Sequence, residues 1–272
     1  MTRNASVPGH DGFGRTPNSR QRRILGLVHE RCDARVSELR DIFGVSEVTV
    51  RSDLAALASQ GLVVRTHGGA ALPDRGLKSL ELTFAAREEV NVDLKRRIGQ
   101  AAAELIESGQ SIVLDASTTA LEIARSLRRR QSLHDVTVIT NGVYTGLELL
   151  EVPGLTTILT GGQLRATAVS LTGGLAADLL SKVHASLGFF GAKGVTTSQG
   201  LTDVNLQEVE MKAAMAGVCE RVVAVLDHSK LGQVGLATFV PLADLALVIT
   251  DDAADCRLVA ELKNVGVEVQ LV

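Results

Sequence analysis

The feature that most constrains the fold is a series of short apolar runs in the second part of the chain. Seven runs of strand length recur between residues 111 and 272, and segments with helical periodicity separate most of them. Apolar strands that alternate with helices are typical of a mainly parallel sheet with helices on both faces. We therefore predict an α/β domain over residues 93–272. Its strands are predicted at SIVLD, VTVITN, LTTILTGG, ASLGFFGA, RVVAVLD, LALVIT and VEVQLV, and its helices at 93–109, 118–130, 142–150, 174–183, 206–218 and 254–264.

Composition excludes several other classes of protein. Only 3% of the 272 residues are aromatic, so the exposed rings that stack single-stranded nucleic acid are scarce. No apolar run reaches the roughly 18 residues of a membrane span, and the three cysteines lack metal-ligand spacing. Residues 1–19 are polar and contain no apolar core of a signal peptide, which predicts a disordered tail. We expect a cytoplasmic protein without metal, cofactor or membrane contact.

The first part of the chain has helical periodicity and a local excess of positive charge. Between residues 20 and 67 there are eight Arg against six Asp and Glu, whereas the whole chain carries a net charge of −3. Three helices are predicted there. Ser37 is the predicted N-cap of the second helix and Gly44 its stop, and Ser46 and Gly61 have the same roles in the third. The apolar stripes are Leu39, Ile42 and Phe43 in the second helix and Val50, Leu54 and Leu57 in the third.

The order of these elements predicts a winged helix-turn-helix over residues 20–72. The short turn FGVS makes the second and third helices cross steeply, and a hairpin with a Gly68-Gly69 turn follows as the wing. Ser, Thr and Arg on the free face of the third helix suit contacts with the phosphates and base edges of DNA. A small helical domain that binds another protein is the alternative. The predicted DNA contacts are Ser46, Glu47, Val48, Thr49, Arg51, Ser52, Arg65 and His67.

A family resemblance favours DNA binding. The stretch VSELRDIFGVSEVTVRSDLAALASQGLVVRTHGGA resembles the winged helix-turn-helix of the DeoR family of bacterial transcription regulators. The family's second Arg in the third helix is Ser52 here, which removes one expected DNA contact. The resemblance implies sequence-specific binding to double-stranded DNA. Matching positions include Val45-Ser46, Thr49-Val50-Arg51, Asp53-Leu54 and His67-Gly68-Gly69-Ala70. Residues 73–92 are weakly periodic and charged, which predicts a linker with some helix between residues 84 and 90.

The segment from Asp115 to Thr119 follows the first predicted strand of the α/β domain and opens a helix. A helix start presents unpaired backbone N–H groups to an anion, and the hydroxyls of this segment add donors. Ordinary capping of the helix by Ser or Thr is the alternative. VITNG at 138–142 and LTGG at 159–162 also end strands in small polar residues or glycine. Because ligands of open α/β sheets bind at the carboxyl ends of strands, these segments predict one ligand site.

Charged residues near later strand ends are candidates for the same site. Glu208 and Lys212 are four residues apart on one predicted helix face, where a surface ion pair is the alternative. Asp203 precedes that helix. Asp227 and Lys230 follow another strand, and the alternative for Lys230 is a solvated side chain.

The second part of the chain also resembles the DeoR-family sensor domain, which is similar in fold to ribose-5-phosphate isomerase and usually binds sugar phosphates. The family's phosphate-loop motif appears as Asp115-Ala116-Ser117-Thr118-Thr119-Ala120, and its Glu-x-x-x-Lys pair falls on Glu208 and Lys212. In all, the resemblance covers about residues 20–252. It implies a phosphorylated sugar as effector, held by Asp115, Ser117, Thr118, Thr119, Asn141, Gly161, Gly162, Asp203, Glu208, Lys212 and Lys230.

The chain lacks the acid pair expected of the isomerase. Those enzymes carry an Asp-Gly-Ala-Asp segment for proton transfer, whereas the corresponding residues here are Phe190-Gly191-Ala192-Lys193. Since proton transfer needs a positioned base, we expect no enzyme activity. The expected function is that of a homo-oligomeric repressor, a dimer or tetramer, that releases the operator of a carbohydrate-metabolism operon when the sugar phosphate binds. The alternative is a sugar-phosphate isomerase-like enzyme with an appended helix-turn-helix domain.

Overall fold

A computed structural model describes residues 18–31, 33–59, 62–71 and 82–272 of the chain, with the backbone alone for 29–31. Contacts divide the chain into two compact units, Met1–Lys78 and Ser79–Val272. Nearly all of the predicted tail over residues 1–19 lies outside the described residues, as does the predicted helix stop at Gly61. Within the described ranges, no helix has the length and apolar character needed to cross a membrane.

The first unit consists of three helices and a three-stranded antiparallel sheet, as the helix-turn-helix prediction requires. The helices are α1 (Ser19–Arg31), α2 (Val36–Phe43) and α3 (Glu47–Ser59), and the strands are β1 (Asp33–Arg35), β2 (Val64–Thr66) and β3 (Gly69–Ala71), in the order β1-β3-β2. Helix α2 ends at Gly44, whose φ of 63° favours glycine. Helix α3 begins after Ser46, whose hydroxyl accepts from the Thr49 N–H at 3.2 Å. The predicted helices and hairpin are confirmed.

Two local predictions for α2 are wrong. Ser37 is not the N-cap, because the helix begins one residue earlier at Val36. The Arg35 N–H precedes this start and donates to the Glu38 carboxylate at 3.1 Å, which satisfies one of the amides that a helix start leaves unpaired. Ile42, predicted in the apolar stripe, is 45% exposed, whereas Val36 is buried in its place.

Strand β1 was not predicted from the sequence. It has three residues, too few for a periodic signal, and it forms because each of them pairs with a residue of β3. Gly69 permits this pairing, since a Cβ at that position would lie 2.0 Å from the Ala34 carbonyl oxygen. The Gly68-Gly69 turn therefore shapes a wing with three strands instead of two.

The second unit is built on a seven-stranded sheet in which all neighbouring strands are parallel. The strands of this unit are β4 (Ser111–Leu114), β5 (Val136–Thr140), β6 (Leu155–Leu159), β7 (Gln163–Arg165), β8 (Ser170–Thr172), β9 (Ala185–Phe190), β10 (Gly194–Thr196), β11 (Gly200–Asp203), β12 (Cys219–Val225), β13 (Ala237–Val240), β14 (Leu245–Thr250) and β15 (Glu268–Leu271). The large sheet has the order β15-β14-β12-β9-β4-β5-β6. Each of the seven predicted runs forms one of its strands. The small antiparallel strands β7, β8, β10, β11 and β13 were not predicted, because three or four residues carry no clear alternation.

Helices cover both faces of this sheet. They are α4 (Phe84–Glu88), α5 (Val92–Glu104), α6 (Thr118–Arg129), α7 (Val143–Glu148), α8 (Gly174–Leu180), α9 (Leu206–Ala216) and α10 (Cys256–Asn264). Apolar residues of α5 and α6 bury one face of the sheet, and those of α8, α9 and α10 bury the other. The predicted helices are confirmed, although α5 ends five residues before the expected stop at Gly109.

Residues 82–92, the described part of the segment predicted as a linker, contain the helix expected between residues 84 and 90, but this helix packs within the second unit. Residues 84–88 form α4, and the Phe84 N–H donates to the Thr167 carbonyl at 2.7 Å. The Phe84 ring is buried, with its centroid 4.9 Å from that of Tyr144. Helix α4 therefore packs as part of the second unit, which begins before the predicted boundary at residue 93.

The order of the strands creates a crevice at one end of the sheet. From β4 the chain adds β5 and β6 on one side, and it then crosses back to place β9 on the other side of β4. Loops that leave the carboxyl ends of β4 and β9 therefore depart in opposite directions. Such a switch point is where open α/β sheets bind ligands.

Candidate functional site

Asp115 joins the carboxyl ends of β4 and β9 at this crevice. Its side chain is fully buried, and one oxygen accepts from the Ser117 N–H at 3.0 Å. The other oxygen accepts from the Gly191 N–H at 3.0 Å and lies 3.1 Å from the Lys212 ammonium. Lys212 also donates to the Gly191 carbonyl at 2.9 Å and to the Asp203 carboxylate at 2.7 Å. Four of the predicted site residues are thus in one network.

The charges in this network favour the ionised forms of Lys212 and Asp203. Burial lowers the pKa of Lys212, but the negative charges of Asp203 and Asp115 outweigh burial and hold this pKa above its usual value. Burial raises the pKa of Asp203, but the Lys212 charge and hydrogen bond outweigh it and hold the pKa below its usual value. An ammonium has three N–H donors, and three acceptors surround that of Lys212. All of its donors are therefore used within the protein, and the role of Lys212 is structural.

Glu208 and Lys212 do not form the surface ion pair that their spacing allowed. Glu208 is 4% exposed, and its carboxylate accepts from the Arg165 guanidinium and the Ser170 hydroxyl. These contacts tie α9 to the ribbon formed by β7 and β8. Arg165 and Ser170 were not predicted, because neither lies in a motif and only the fold brings them to Glu208.

The three hydroxyl residues at the start of α6, Ser117, Thr118 and Thr119, have two different roles. The Ser117 hydroxyl accepts from the Ala120 N–H at 3.1 Å, so this residue is an ordinary N-cap. The Thr118 and Thr119 side chains are buried, and their hydroxyls have no hydrogen-bond partner among the described residues. Their backbone N–H groups belong to the first turn, which has no intrahelical acceptor. The anion donors predicted for this loop are therefore available on Thr118 and Thr119.

Two cations that the sequence did not predict lie beside the start of α6. Helices α5 and α6 run in the same direction, because Arg130 at the end of α6 donates to the Ala103 carbonyl at the end of α5, and they touch where Gly99 meets Glu122. Lys95 and Thr118 each precede that contact by four residues, about one helical turn, so they lie at the same level. Lys95 is buried and donates to the carbonyls of Arg87 and, at 2.6 Å, of Val90.

Charged residues of both signs surround Lys95. Burial, together with the charges of Lys230 and Arg87, lowers the pKa of Lys95 to about 8, although the charges of Asp227 and Glu122 oppose the shift. The Arg87 guanidinium lies over the Phe84 ring, 5.7 Å from its centroid, and two of its nitrogens, Nε and Nη2, are buried without a hydrogen-bond partner among the described residues. Buried donors without a hydrogen-bond partner are costly unless a ligand satisfies them. Arg87 escaped prediction because it lies in the segment that was predicted to be a linker.

Lys230 lies at the same edge, in a short 3₁₀ turn of residues 228–230 after β12. Its partly buried side chain makes no hydrogen bond or ion pair within the described residues. Burial raises the pKa of Asp227, but the charges of Lys230 and Lys95 and the Ser229 hydrogen bond hold it below its usual value. Lys230 therefore belongs to the same positive cluster as Lys95 and Arg87.

Of the predicted site residues after β5 and β6, Asn141 has a buried acceptor without a partner in the described part of the chain, whereas Gly161 and Gly162 determine the path of the chain. Asn141 is fully buried; its amide nitrogen donates to the Leu171 carbonyl at 3.2 Å, whereas its Oδ1 has no partner among the described residues. Gly161 and Gly162 have φ of 74° and 118° and turn the chain from β6 into β7. A Cβ on Gly162 would lie 2.4 Å from the Thr172 carbonyl oxygen. Both glycines are explained by backbone geometry.

Gly191 allows the β9 loop to approach the start of α6, and its replacement is a test of this packing. An alanine Cβ at this position would lie 2.5 Å from the Ser117 Cβ. We expect Gly191→Ala to lower the free energy of unfolding by about 1–3 kcal/mol, as measured by urea denaturation. Gly174→Ala is the control, because a Cβ there meets nothing within 4 Å. Equal stabilities of the two variants would contradict the close approach.

The predicted DNA contacts lie on α3 and on the β2–β3 hairpin of the first unit. The Ser46 and Thr49 hydroxyls are 2.9 Å apart and are hydrogen-bonded to each other. The Glu47 carboxylate lies 3.4 Å from the Arg51 guanidinium and 3.6 Å from that of Arg40. These contacts order the polar face of α3 before any ligand is bound.

The remaining DNA candidates are exposed. Val48 is 77% exposed at the second position of α3, and Ser52 is exposed one turn later without a partner among the described residues. Arg65, on β2, donates to the Arg51 carbonyl at 3.1 Å and so connects the wing to α3. His67 is exposed in the turn of the hairpin.

Comparisons with known proteins agree with this arrangement of two units. A family model for the DeoR C terminal sensor domain matches residues 90–252, and one for the DeoR-like helix-turn-helix domain matches residues 20–76. Among solved structures, the chain is similar to the ribose 5-phosphate isomerase from Plasmodium falciparum, with a TM-score of 0.38, 18% identity, and coverage of 53% of this chain and 55% of that one.

Similarity to curated relatives extends over nearly the whole chain. The HTH-type transcriptional regulator GolR of Listeria innocua is 38% identical over 94% of this chain and 98% of its own length. The putative aga operon transcriptional repressor of Escherichia coli O157:H7 is 33% identical over 94% of each chain. The glycerol-3-phosphate regulon repressor of Escherichia coli is 29% identical over 91% of this chain and 96% of its own. With a DNA-binding unit, a sensor unit and relatives that match both, the chain belongs to the DeoR family of helix-turn-helix transcriptional regulators.

Proposed function

We propose that this regulator is a repressor of a carbohydrate-metabolism operon and that a phosphorylated sugar bound at the carboxyl edge of the sheet releases it from DNA. The observation that carries the proposal is the Arg87 guanidinium, two of whose nitrogens are buried without a hydrogen-bond partner among the described residues, in the same cluster of cations as Lys95 and Lys230. Two relatives are named as repressors, one of an aga operon and one of a glycerol-3-phosphate regulon.

The phosphate site of this proposal consists of Arg87, Lys95, Thr118, Thr119 and Lys230. The amides and hydroxyls at the start of α6 donate to the phosphate oxygens, and the helix dipole favours the negative charge. Arg87 supplies two further N–H donors, and such charge-assisted hydrogen bonds are stronger than neutral ones. Lys230 and Lys95 supply positive charge.

The sugar itself is proposed to meet the buried acceptor of Asn141, whose free Oδ1 suits a hydroxyl donor. The other residues predicted to bind the effector have a different role in this proposal. Asp115, Ser117, Asp203, Glu208 and Lys212 hold the loops of the site through their own contacts. Gly161 and Gly162 set the turn after β6.

The output of the site is proposed to be occupancy and not turnover. The relatives are named as transcriptional regulators, and nothing supports the isomerase-like alternative. For the effector to act, it must bind the conformation that releases DNA more tightly than the conformation that binds DNA. We further propose a symmetric homo-oligomer, because helix-turn-helix proteins bind paired half-sites of double-stranded DNA.

A ligand screen tests this function. The full chain is heated with triose, pentose and hexose phosphates, and a bound effector raises the melting temperature and releases operator DNA.

Thr118→Val combined with Thr119→Val removes both hydroxyls while keeping the shape of the side chains. We expect this double variant to bind the effector at least about tenfold more weakly, because two hydrogen bonds to a charged group are lost. Thr156→Val, on an exposed position of β6, is the control. An unchanged affinity in the double variant, or no response to any sugar phosphate, contradicts the proposal.

The lowered pKa of Lys95 predicts how effector affinity depends on pH. A phosphate beside Lys95 favours its protonated form, so binding takes up a proton once the free protein has lost it above pH 8 or so. Affinity should therefore fall as pH rises, by up to about tenfold per unit above pH 8. Calorimetric titration between pH 7 and about 9.5 measures this slope; in this range the phosphate is already a dianion. In Lys95→Met the slope should disappear, and a flat profile in the wild type places the phosphate away from Lys95.

A further inference from the structure

Most polar side chains on the exposed face of α3 already have a partner within the first unit. Ser46 and Thr49 are hydrogen-bonded to each other, and Glu47 is paired with Arg51. Val48 and Ser52 are both exposed. They are four residues apart and hence lie one above the other on the same helix face.

Val48 has the largest exposure of any large hydrophobic side chain in the described part of the chain. It lies in the first turn of α3, and the first turn of a recognition helix is the part that meets base edges in the major groove. An isopropyl group can neither donate nor accept a hydrogen bond. The apolar group that base pairs present in the major groove is the C5-methyl of thymine. A β-branched side chain in a helix has one preferred rotamer, so little entropy is lost when it packs.

We propose that Val48 packs against the C5-methyl group of one thymine in each operator half-site and sets the preference for thymine at that position. This inference rests on the proposed DNA-binding function and adds the base that one residue recognises. Burying a methyl-sized group stabilises the complex enough to change affinity by about fourfold per half-site. Ser52, one turn further along the same face, can contact the neighbouring base pair or the backbone.

The experiment removes the methyl group and the valine separately. An operator is first selected from random duplex DNA with the wild-type protein, and each thymine in one half-site is then replaced singly by deoxyuridine, which lacks only the C5-methyl. We expect one replacement to weaken wild-type binding by about fourfold. Val48→Ala should bind the unmodified operator about fourfold more weakly and should be insensitive to that replacement. Val234→Ala, an exposed valine of the second unit, is the matched control and should behave as wild type.

The outcomes separate this inference from the function on which it rests. If Val48→Ala and the wild type respond alike to every deoxyuridine replacement, Val48 is a solvated side chain and the inference is overturned. If the wild-type protein selects no sequence at all, the proposed DNA-binding function fails as well. Placing 5-methylcytosine at the identified position gives a second measurement: it should bind wild type more tightly than cytosine does, and should not do so for Val48→Ala.

Discussion

Replacing Lys212 with methionine should lower the free energy of unfolding by about 3–5 kcal/mol, the range observed when one partner of a buried ion pair is removed. Lys212 lies between two buried or nearly buried carboxylates, at 2.7 Å from Asp203 and 3.1 Å from Asp115. Without the ammonium these carboxylates would face each other away from water. Urea denaturation of both proteins at pH 7 measures the difference. The exposed Lys182→Met is the control, for which we expect a change within about 0.5 kcal/mol.

The pH dependence of stability provides a second measurement of the same network. Because the pKa of Asp203 is lowered in the folded protein, its contribution is present above pH 4 or so and is lost as pH falls through the folded pKa. Because the pKa of Lys212 is raised, its contribution is present below its unfolded value of about 10.4 and is lost at still higher pH. In Lys212→Met the unpaired carboxylates should instead make the protein more stable on mild acidification. A variant that unfolds like wild type at pH 7 would show that the network does not hold the ends of β4 and β9 together.

Replacing Arg51 with alanine should weaken operator binding by about 5- to 150-fold, as expected for the loss of a bidentate contact to a base. The Arg51 guanidinium is exposed on α3 and is held by Glu47 at 3.4 Å, so it is ordered before DNA arrives. Its removal also leaves the Glu47 carboxylate without this partner near the DNA phosphates. Fluorescence anisotropy at several salt concentrations measures both the affinity and the salt slope.

The control for Arg51 is Arg257→Ala, since the Arg257 side chain is 84% exposed on α10 of the second unit and is paired with Asp255. It carries the same charge change and should bind the operator like the wild type. If Arg51 contacts a base, its loss relaxes sequence preference; if it contacts a phosphate, the salt slope falls by about one. If Arg51→Ala changes neither affinity nor slope, α3 is not the recognition helix.

The elements that could be predicted are those whose signal lies within about ten consecutive residues. The apolar runs SIVLD and RVVAVLD form β4 and β12 because a strand buried on both faces must be apolar throughout. Ser46 caps α3 and Gly44 ends α2 because capping depends on neighbours three or four residues away. Strand β1 and the ribbon of β7 and β8 escaped prediction, because three residues are stabilised only by a partner strand.

The sequence indicated which strand ends carry the candidate residues, but not how these residues pair with one another. The sequence by itself determined that a strand ends at Asp115, that small hydroxyl residues follow, and that a helix starts there. The tertiary structure decided that Ser117 caps this helix, that Lys212 is held by Asp115 and Asp203, and that Glu208 binds Arg165. It also decided that α4 packs in the sensor unit and places Arg87 in the positive cluster beside Lys95. The physical reason is the range of the interactions: Asp115 and Gly191 are 76 residues apart, and only the parallel pairing of β4 with β9 brings them within a hydrogen bond.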